Sequence, residues 1–405
     1  MHIAILTRQI GHYHDARYRA SAAAMSRVTV ISTANEGGFA EFLADDLGVY
    51  AGELLFPDRL AYDAAVRGGR LRGVLNTTLA RIVPDALVIP GWATPESSIA
   101  ISWARRRGIP LILMSETQAD DAPRSIIREI IKRRIVSLCD SALVGGPTHA
   151  DYLTHLGMPP HCIQLGYNAV DNHHFATGAA AARADPVALR HAKGLPERYV
   201  LASARFIAKK NLPELVKGYA KAVKAEEGPT PDLVILGDGE ERDAIRAASE
   251  QSGVSGRVQL PGFRGYDVLP AYYGLAEAFA HVSTVEQWGL VVNEAMAAGL
   301  PVLVSEPCGV TRTVVEDGIS GLIVRPDTEA IGKAFSRLFK MTPTDRVAMG
   351  AAASAAIADW GPDRFGSGIK AAVESARMAE RRGPPGLIDR FLLFGLERAR
   401  IDRVT

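Results

Sequence analysis

Two glutamates in the second half of the chain have the residue type and spacing for ligand chemistry. Glu286 lies in a predicted loop, and Glu294 follows after seven intervening residues. A short helix is predicted to begin near Leu290, because Gly299 and Pro301 are typical of residues that end a helix. The start of a helix offers unpaired N–H groups to phosphate, and carboxylates accept hydrogen bonds from hydroxyls. The pattern therefore predicts a site for a ligand with both phosphate and hydroxyl groups.

A basic loop precedes the two glutamates in the sequence. Arg205 and Lys210 follow a strand that is predicted at residues 199–204. A guanidinium can bind a pyrophosphate through its planar fork, and an ammonium group binds it as a point charge. A basic loop or an isolated glutamate is more often a solvated surface feature.

Residues 205–304 resemble the donor site of retaining glycosyltransferases with the GT-B fold, of the family 4 type. The resemblance rests on the Glu pair, on the small-residue helix that ends in Gly-Leu-Pro-Val, and on the Arg and Lys at the family's spacing. It covers the second half of the chain well and the first half only in outline. It implies that Arg205 and Lys210 bind a diphosphate. It also implies that Glu286 orients the donor sugar and that Glu294 binds the ribose.

The resemblance implies further donor-binding residues around these four. Gly289, Leu290 and Val291 form the helix start beside the diphosphate. Gly237 follows a strand predicted at residues 233–236, where it permits either a close backbone approach to a ligand or a plain strand-to-helix turn. Phe263 follows a strand predicted at residues 258–260 and is expected near the nucleotide base. No cofactor and no metal are expected, since the sequence offers no cluster of metal ligands.

The first half of the chain alternates short apolar runs with helical stretches. Strands are predicted at residues 2–6, 27–32, 86–90, 110–114 and 142–145. Buried parallel strands have this pattern, and ligands bind at the carboxyl ends of such strands. Gly11 permits either close backbone approach to the donor or a tight turn. His12, His14 and Trp92 are candidates for the acceptor side of the site.

Glu116 marks a departure from the family. Many members carry a histidine at the end of the corresponding strand, where it touches the transferred sugar, and this sequence has Glu116 instead. A carboxylate there could orient or deprotonate an acceptor hydroxyl, which makes Glu116 a catalytic candidate beside Arg205, Lys210 and Glu286. It could equally cap the segment that follows it. Both interpretations stay open at this point.

A second series of strands is predicted at residues 199–204, 233–236, 258–260, 278–282, 301–304 and 321–324. The two series predict an α/β fold with two doubly wound, Rossmann-like domains, which in the GT-B fold face a central cleft. We predict an acceptor-side domain at residues 1–180 and a nucleotide-sugar domain at residues 181–360. Residues 361–405 are predicted to hold a helix that crosses back to the first domain and a C-terminal extension.

Bulk properties limit the remaining classes. A formal net charge of +1 over 405 residues argues against a nucleic-acid partner. Three scattered cysteines suit a reducing compartment, and no run of eighteen apolar residues is present. We therefore expect a cytoplasmic protein. The helix predicted within residues 123–138 and the tail at 387–405 both mix apolar with basic residues. The helix could contact the inner face of the membrane, bind a phosphorylated acceptor or pack on the core, and the tail could pack on the body, form a homodimer contact or contact the membrane peripherally.

The sequence thus predicts a hexosyltransferase or another glycosyltransferase that acts with retention, a property that follows from the resemblance. The expected donor is a UDP-, GDP- or TDP-sugar. The expected acceptor is a hydroxyl of a glycan, a lipid-linked glycan or a small molecule, as in bacterial polysaccharide or glycoconjugate biosynthesis. One alternative is a sugar-nucleotide epimerase of the same fold, which would use Glu116 and His12 as acid and base. Another is a catalytically inactive sugar-nucleotide-binding protein, which only the missing histidine supports.

Overall fold

The computed structural model describes residues 1–35, 49–380 and 382–398. The chain divides into two compact units: unit 1 comprises Met1–Ala169 with Pro362–Thr405, and unit 2 comprises Val170–Gly361. The boundary lies before the one predicted at residue 180, because residue 180 falls inside a helix that packs with the helices of unit 2. The C-terminal residues from 362 onward group with unit 1, which matches the direction of the predicted crossing helix.

Unit 1 contains a parallel sheet of seven strands. The strands are β1 (His2–Thr7), β2 (Arg27–Ala34), β3 (Ala51–Phe56), β4 (Ala86–Pro90), β5 (Leu111–Ser115), β6 (Ser141–Val144) and β7 (Ile163–Leu165). They lie in the order β3-β2-β1-β4-β5-β6-β7. The chain reverses its winding direction between β1 and β4, the position at which open α/β sheets bind ligands.

Helices cover both faces of this sheet. They are α1 (His12–Ala24), α2 (Arg59–Arg67), α3 (Leu71–Ile82), α4 (Pro95–Arg107), α5 (Ile126–Val136), α6 (Pro147–His155), α15 (Pro362–Met378) and α16 (Leu387–Glu397). Strand β1 shows why two layers form, because its side chains alternate. Ile3 and Ile5 join the core beneath α1 and α15, while Ala4 and Leu6 join the core beneath α3 and α4.

Unit 2 contains a parallel sheet of six strands. The strands are β8 (Tyr199–Ser203), β9 (Asp232–Leu236), β10 (Val258–Gly262), β11 (Ala278–His281), β12 (Val302–Ser305) and β13 (Gly321–Val324). They lie in the order β10-β9-β8-β11-β12-β13, so the winding reverses between β8 and β11. The helices are α7 (Asn172–Ala184), α8 (Pro186–Lys193), α9 (Leu212–Ala225), α10 (Arg242–Gln251), α11 (Leu269–Leu275), α12 (Leu290–Ala297), α13 (Thr328–Lys340) and α14 (Pro343–Ile357).

The predicted α/β fold with two doubly wound parallel sheets is confirmed. The predicted end of the helix in the glutamate motif also matches, since α12 ends at Ala297 and Gly299 has a φ of +75°. Strands β3 and β7 were not predicted. Both lie at sheet edges, and their polar, partly exposed residues, such as Glu53 and Gln164, interrupt the apolar pattern of a buried strand.

Candidate functional site

The loops at the carboxyl edge of the unit 2 sheet are bonded to one another. After β8, the Ala204 N–H donates to the Leu236 carbonyl at 3.1 Å, and the Phe206 N–H donates to the Asp238 carbonyl at 2.8 Å. Gly237 has a φ of +123°, and a Cβ placed there would lie 1.8 Å from the Ala204 oxygen. Only glycine allows this close approach. The structure thus accounts for Gly237 by the packing of two loops, which is the turn interpretation of this residue.

Lys210 is fixed by the chain on either side of it. It ends a 3-10 turn, and the next residue, Asn211, has a left-handed backbone with a φ of 59°. The Asn211 side chain donates to the carbonyl of Val282 at 3.2 Å. The Thr284 N–H donates to the Lys209 carbonyl at 2.9 Å. These bonds hold the basic loop against the loop that follows β11, where Glu286 lies.

Lys210 and Glu286 form an ion pair at the centre of this edge. The Lys210 ammonium donates to Glu286 Oε2, and His281 Nε2 lies 3.2 Å from the same oxygen. Ser283 Oγ lies 3.1 Å from His281 Nε2. The Lys210 and Glu286 side chains are 13% and 12% exposed. The sequence predicted Lys210 and Glu286 as separate ligand contacts, and the structure brings them together with two further residues, His281 and Ser283.

The charges of this group follow from its burial and its hydrogen bonds. Burial alone would raise the pKa of Glu286, but the hydrogen bonds and charges of His281 and Lys210 outweigh it and hold the pKa well below its usual range. Burial lowers the pKa of His281 by more than its bond to Glu286 raises it, and the Lys210 charge lowers it further. At neutral pH Glu286 is therefore an ionised carboxylate and His281 a neutral imidazole.

The helix α12 begins beside Glu286. A Cβ built on Gly289 would lie 3.6 Å from Glu286 Cγ, and Gly289 has a φ of +100°. The Trp288 side chain is buried and donates through Nε1 to Asn293 Oδ1 at 2.9 Å, while the Val310 N–H donates to the Trp288 carbonyl at 3.1 Å. This buried anchor sets the angle at which α12 leaves the loop. The ionised side chains and the start of α12 are thus adjacent.

The first turn of α12 presents backbone N–H groups at this edge. Leu290 and Val291 are its first two residues, and both are partly exposed. N–H groups in the first turn of a helix have no acceptor within the helix. Together with the Lys210 ammonium they give this edge the character of an anion-binding site.

Glu294 lies deeper than the sequence predicted. It is fully buried, and Tyr273 donates its hydroxyl to Glu294 Oε2 at 2.5 Å. The Tyr273 ring packs edge-on against Phe175 at 5.6 Å. Helix α12, which carries Glu294, packs against α7 and α14. A bond from Glu294 to a ribose would need these side chains to move, so this role stays a prediction.

Two candidates of unit 2 are open to solvent. Arg205 is exposed, and among the described residues its side chain makes no hydrogen bond or ion pair, although its backbone carbonyl accepts from the Ile207 N–H. Phe263 directly follows β10 and is 77% exposed. Both side chains leave the same carboxyl edge as Lys210 and Glu286. They are available for a diphosphate and for a nucleotide base, respectively.

Three predicted site residues of unit 1, Gly11, His14 and Trp92, take part in a helix cap or in the hydrophobic core. The Gly11 N–H donates to His14 Nδ1 at 3.3 Å, so His14 caps the start of α1. Burial, with the nearby charge of Arg17, lowers the pKa of His14 to about 3, and its imidazole is neutral. Trp92 is only 8% exposed and belongs to the hydrophobic core. The acceptor-side roles of Trp92 and His14 stay predictions; Trp92 has little surface to offer a ligand, and His14 is partly exposed.

Glu116 and His12 remain at the carboxyl edge of the unit 1 sheet. Glu116 directly follows the last residue of β5, as predicted, and it is partly exposed. Burial and the charge of Glu116 both raise the pKa of Tyr167, which places these two side chains near each other. His12 is the first residue of α1 and is partly exposed. Sequence reasoning missed Tyr167, because a single tyrosine after a three-residue edge strand carries no motif.

Residues 189–355 match the family "Glycosyl transferases group 1". The part of the chain that lies in unit 2 is therefore similar to this glycosyltransferase family. An α-D-kanosaminyltransferase of Streptomyces kanamyceticus is 30% identical over 37% of this chain and 39% of its own length. A D-inositol 3-phosphate glycosyltransferase of Saccharomonospora viridis is 30% identical over 59% of each chain. The chain thus spans less than two thirds of the length of these relatives.

The GT-B fold is also seen in solved structures. The structure of HepE from Anabaena in complex with UDP and glucose matches with a TM-score of 0.71 over 91% of this chain and 98% of that one. The two sequences are 17% identical, so this similarity concerns the fold. Among the described residues of the GT-B chain, no three His, Cys, Asp or Glu side chains are grouped so that they could hold a metal ion. The expectation that no metal is needed stays a prediction.

Proposed function

We propose that this GT-B chain transfers a sugar, with retention, from a nucleotide diphosphate sugar to a hydroxyl acceptor. The observation that carries the proposal is the group of Lys210, Glu286 and His281 beside the start of α12. It lies within the residues that match the glycosyltransferase family. A cation and free N–H groups would bind the diphosphate, and a carboxylate would bind sugar hydroxyls.

The leaving diphosphate gains negative charge as the glycosidic bond to the donor breaks. Lys210, Arg205 and the first turn of α12 would stabilise that charge, and Lys210 and the helix start would need little movement, since their loops are already bonded together. The Lys210 ammonium has three N–H donors, so it can keep its bond to Glu286 while it donates to a phosphate oxygen. Glu286, held ionised, would accept a hydrogen bond from a donor-sugar hydroxyl.

The proposed role of Glu294 can be separated from a purely structural one. Glu294→Gln keeps an oxygen that can accept from Tyr273 but removes the charge. If the carboxylate accepts from the ribose, affinity for the nucleotide diphosphate should fall by about 1–3 kcal/mol. Calorimetry measures this, with Tyr273→Phe as the control that disturbs the same buried pair and keeps the charge. Unchanged affinity in Glu294→Gln would remove the ribose assignment.

The class of reaction is tested by incubating the protein with labelled UDP-, GDP- and TDP-sugars without acceptor. Slow hydrolysis of one donor supports a transferase. Interconversion of the sugar would favour the epimerase, for which Glu116 and His12 at the unit 1 edge are the candidate acid and base. Binding without turnover would favour an inactive sugar-nucleotide-binding protein. The anomeric configuration of a transferred product, measured by NMR, tests retention.

The acceptor and the location of the protein belong to the same proposal. A glycan, a lipid-linked glycan or a small molecule could supply the hydroxyl, and a cytoplasmic location at the inner face of the membrane stays a prediction. The predicted membrane contact through residues 123–138 and 387–405 and the predicted homodimer concern one surface of unit 1. The described parts of both segments, α5 and α16, contact each other there.

A further inference from the structure

Seven large apolar side chains are exposed on two helices of unit 1. They are Ile126, Ile127 and Ile130 of α5, and Leu387, Ile388, Phe391 and Phe394 of α16. We call these seven side chains the apolar patch. Ile126, Leu387 and Phe391 are 82%, 83% and 77% exposed. Seventeen large apolar side chains are exposed in the described residues as a whole, so their occurrence on two neighbouring helices is a concentration that a soluble surface seldom carries.

The patch is held in place by contacts on the opposite side of α16. Leu393 is 1% exposed and belongs to the unit 1 core, and α16 packs against α4. Glu397 forms an ion pair with Arg72. Helix α16 therefore has two apolar faces, of which one docks the helix and the other is exposed. The exposed apolar face therefore belongs to a helix that is docked on unit 1.

The two helices are also joined to each other. Arg134 of α5 donates to Asp389 of α16 at 2.6 Å, so the two helices are bonded side by side. Arg134 lies one helical turn after the exposed Ile130, and Asp389 directly follows the exposed Ile388. A partner that covers one helix would thus meet the other.

The charges around the patch are mainly positive. The basic residues are Arg128, Lys132, Arg133 and Arg134 on α5, Arg390 on α16, and Arg398, which directly follows α16. The three acidic residues of these helices are all in ion pairs: Glu129 with Lys132, Asp389 with Arg134, and Glu397 with Arg72. The Arg398 guanidinium lies 4.1 Å from the centre of the Phe394 ring, so charge and apolar surface are interleaved. This combination of apolar and basic groups complements a surface with anionic groups on its exterior and an apolar layer beneath them.

We propose that α5 and α16 together bind the surface of an anionic lipid bilayer, with the apolar patch inserted at the level of the headgroups. Helices that lie in the interface combine an exposed apolar face with arginine or lysine beside it. The described residues include no helix that is long and apolar enough to cross a bilayer. A second copy of the chain fits less well. A twofold contact places the same patch against itself and brings like-charged arginines together.

Sedimentation with lipid vesicles tests the proposal independently of sugar transfer. The full chain is mixed with vesicles of phosphatidylcholine alone or of phosphatidylcholine with phosphatidylglycerol. We expect it to sediment with the second kind and to be released by salt, because the headgroup attraction is screened. The variant Ile127→Glu with Phe391→Glu should lose binding by roughly tenfold or more. Leu60→Glu with Val347→Glu, at exposed sites outside the patch, is the matched control and should bind as the parent does.

A second variant tests the charge component. Arg128→Gln with Arg390→Gln should weaken binding to the anionic vesicles by roughly fivefold for each arginine and leave the apolar patch intact. Circular dichroism melts check that every variant is folded. All of the substituted side chains are exposed, so the substitutions leave the core unchanged. Absence of vesicle binding by the parent, or equal binding by the patch variant and the parent, overturns the proposal. A concentration-dependent dimer that the patch variant abolishes, without vesicle binding, would instead assign this face to a second copy.

Discussion

The carboxyl edges of the two sheets are built differently. In unit 2, Lys210, His281, Ser283 and Glu286 contact one another, and the loops that carry them are bonded through backbone groups. In unit 1 the candidate side chains are engaged separately. His14 caps a helix, Trp92 lies in the core, and Glu116 lies near Tyr167.

This difference indicates which half of the proposed reaction is fixed by the fold. A charged group that is already oriented needs little reorganisation when charge develops on a ligand, which is the main source of electrostatic catalysis. The residues that match the glycosyltransferase family, 189–355, all lie in unit 2. The proposed donor site therefore lies in the part that resembles the family, and acceptor recognition at the edge of unit 1 would be particular to this chain.

The largest expected effect is at the ion pair of unit 2. Lys210→Met or Glu286→Gln should lower turnover roughly a hundredfold or more, because each removes an oriented charge that would contact the diphosphate or the donor sugar. Donor turnover is measured with and without acceptor. Lys209→Met is the control in the same loop, since only the backbone carbonyl of Lys209 bonds to Thr284.

The control should turn over near the parental rate. If both Lys210→Met and Glu286→Gln turn over at the parental rate, the ion pair of unit 2 has only a structural role. The two sheet edges would then not differ in the way proposed. In a double mutant, the two losses should combine to less than their sum, since the residues act as a pair.

The sequence predicted unit 2 well because its signals are local. The ends of α12, the glycine turns and the apolar strands are each encoded within a few neighbouring residues. The contact of Lys210 with Glu286 joins residues 76 positions apart, and it required a known family pattern to suggest a shared site. His281 was missed because one polar residue at the end of an apolar strand is indistinguishable in sequence from the turn that follows.

The sequence predicted unit 1 less well, because the surroundings of its candidate residues depend on contacts between distant parts of the chain. Trp92 follows a predicted strand, as a ligand-binding residue would, and only the three-dimensional packing shows that its ring is in the core. The apolar residues of the helix predicted within residues 123–138 are of two kinds in the structure. Ile135 and Leu138 are buried, whereas Ile127 and Ile130 are exposed. Helical spacing gives the direction of a side chain but not whether a neighbouring element covers it.

An intermediate effect is expected at Glu116. If its carboxylate orients the acceptor hydroxyl, Glu116→Gln should keep parental nucleotide binding while transfer to acceptor falls by roughly tenfold to a hundredfold, the size of a lost acid–base contact. Donor hydrolysis without acceptor, which depends on unit 2, should change little. Transfer at the parental rate, with a lower melting temperature, would show that Glu116 is structural and that another group activates the acceptor.

The smallest expected effect compares one histidine from each edge. The pKa of His14 is lowered to about 3 and that of His281 is also lowered, while an unfolded histidine has a pKa of about 6.5. Below pH 6.5 the unfolded chain therefore binds more protons than the folded chain, and the free energy of unfolding falls as the pH is lowered.

His14→Asn and His281→Gln keep the hydrogen-bonding atom that each imidazole uses but do not titrate. Between pH 7 and pH 5 each variant should lose less stability than the parent, by on the order of 1 kcal/mol, in urea unfolding at both pH values. Only His281→Gln should also change the pH profile of turnover, because only His281 contacts Glu286. Equal pH dependence of unfolding in parent and variants would show that these imidazoles titrate normally, and a changed turnover profile in His14→Asn would place the edge of unit 1 in the chemistry after all.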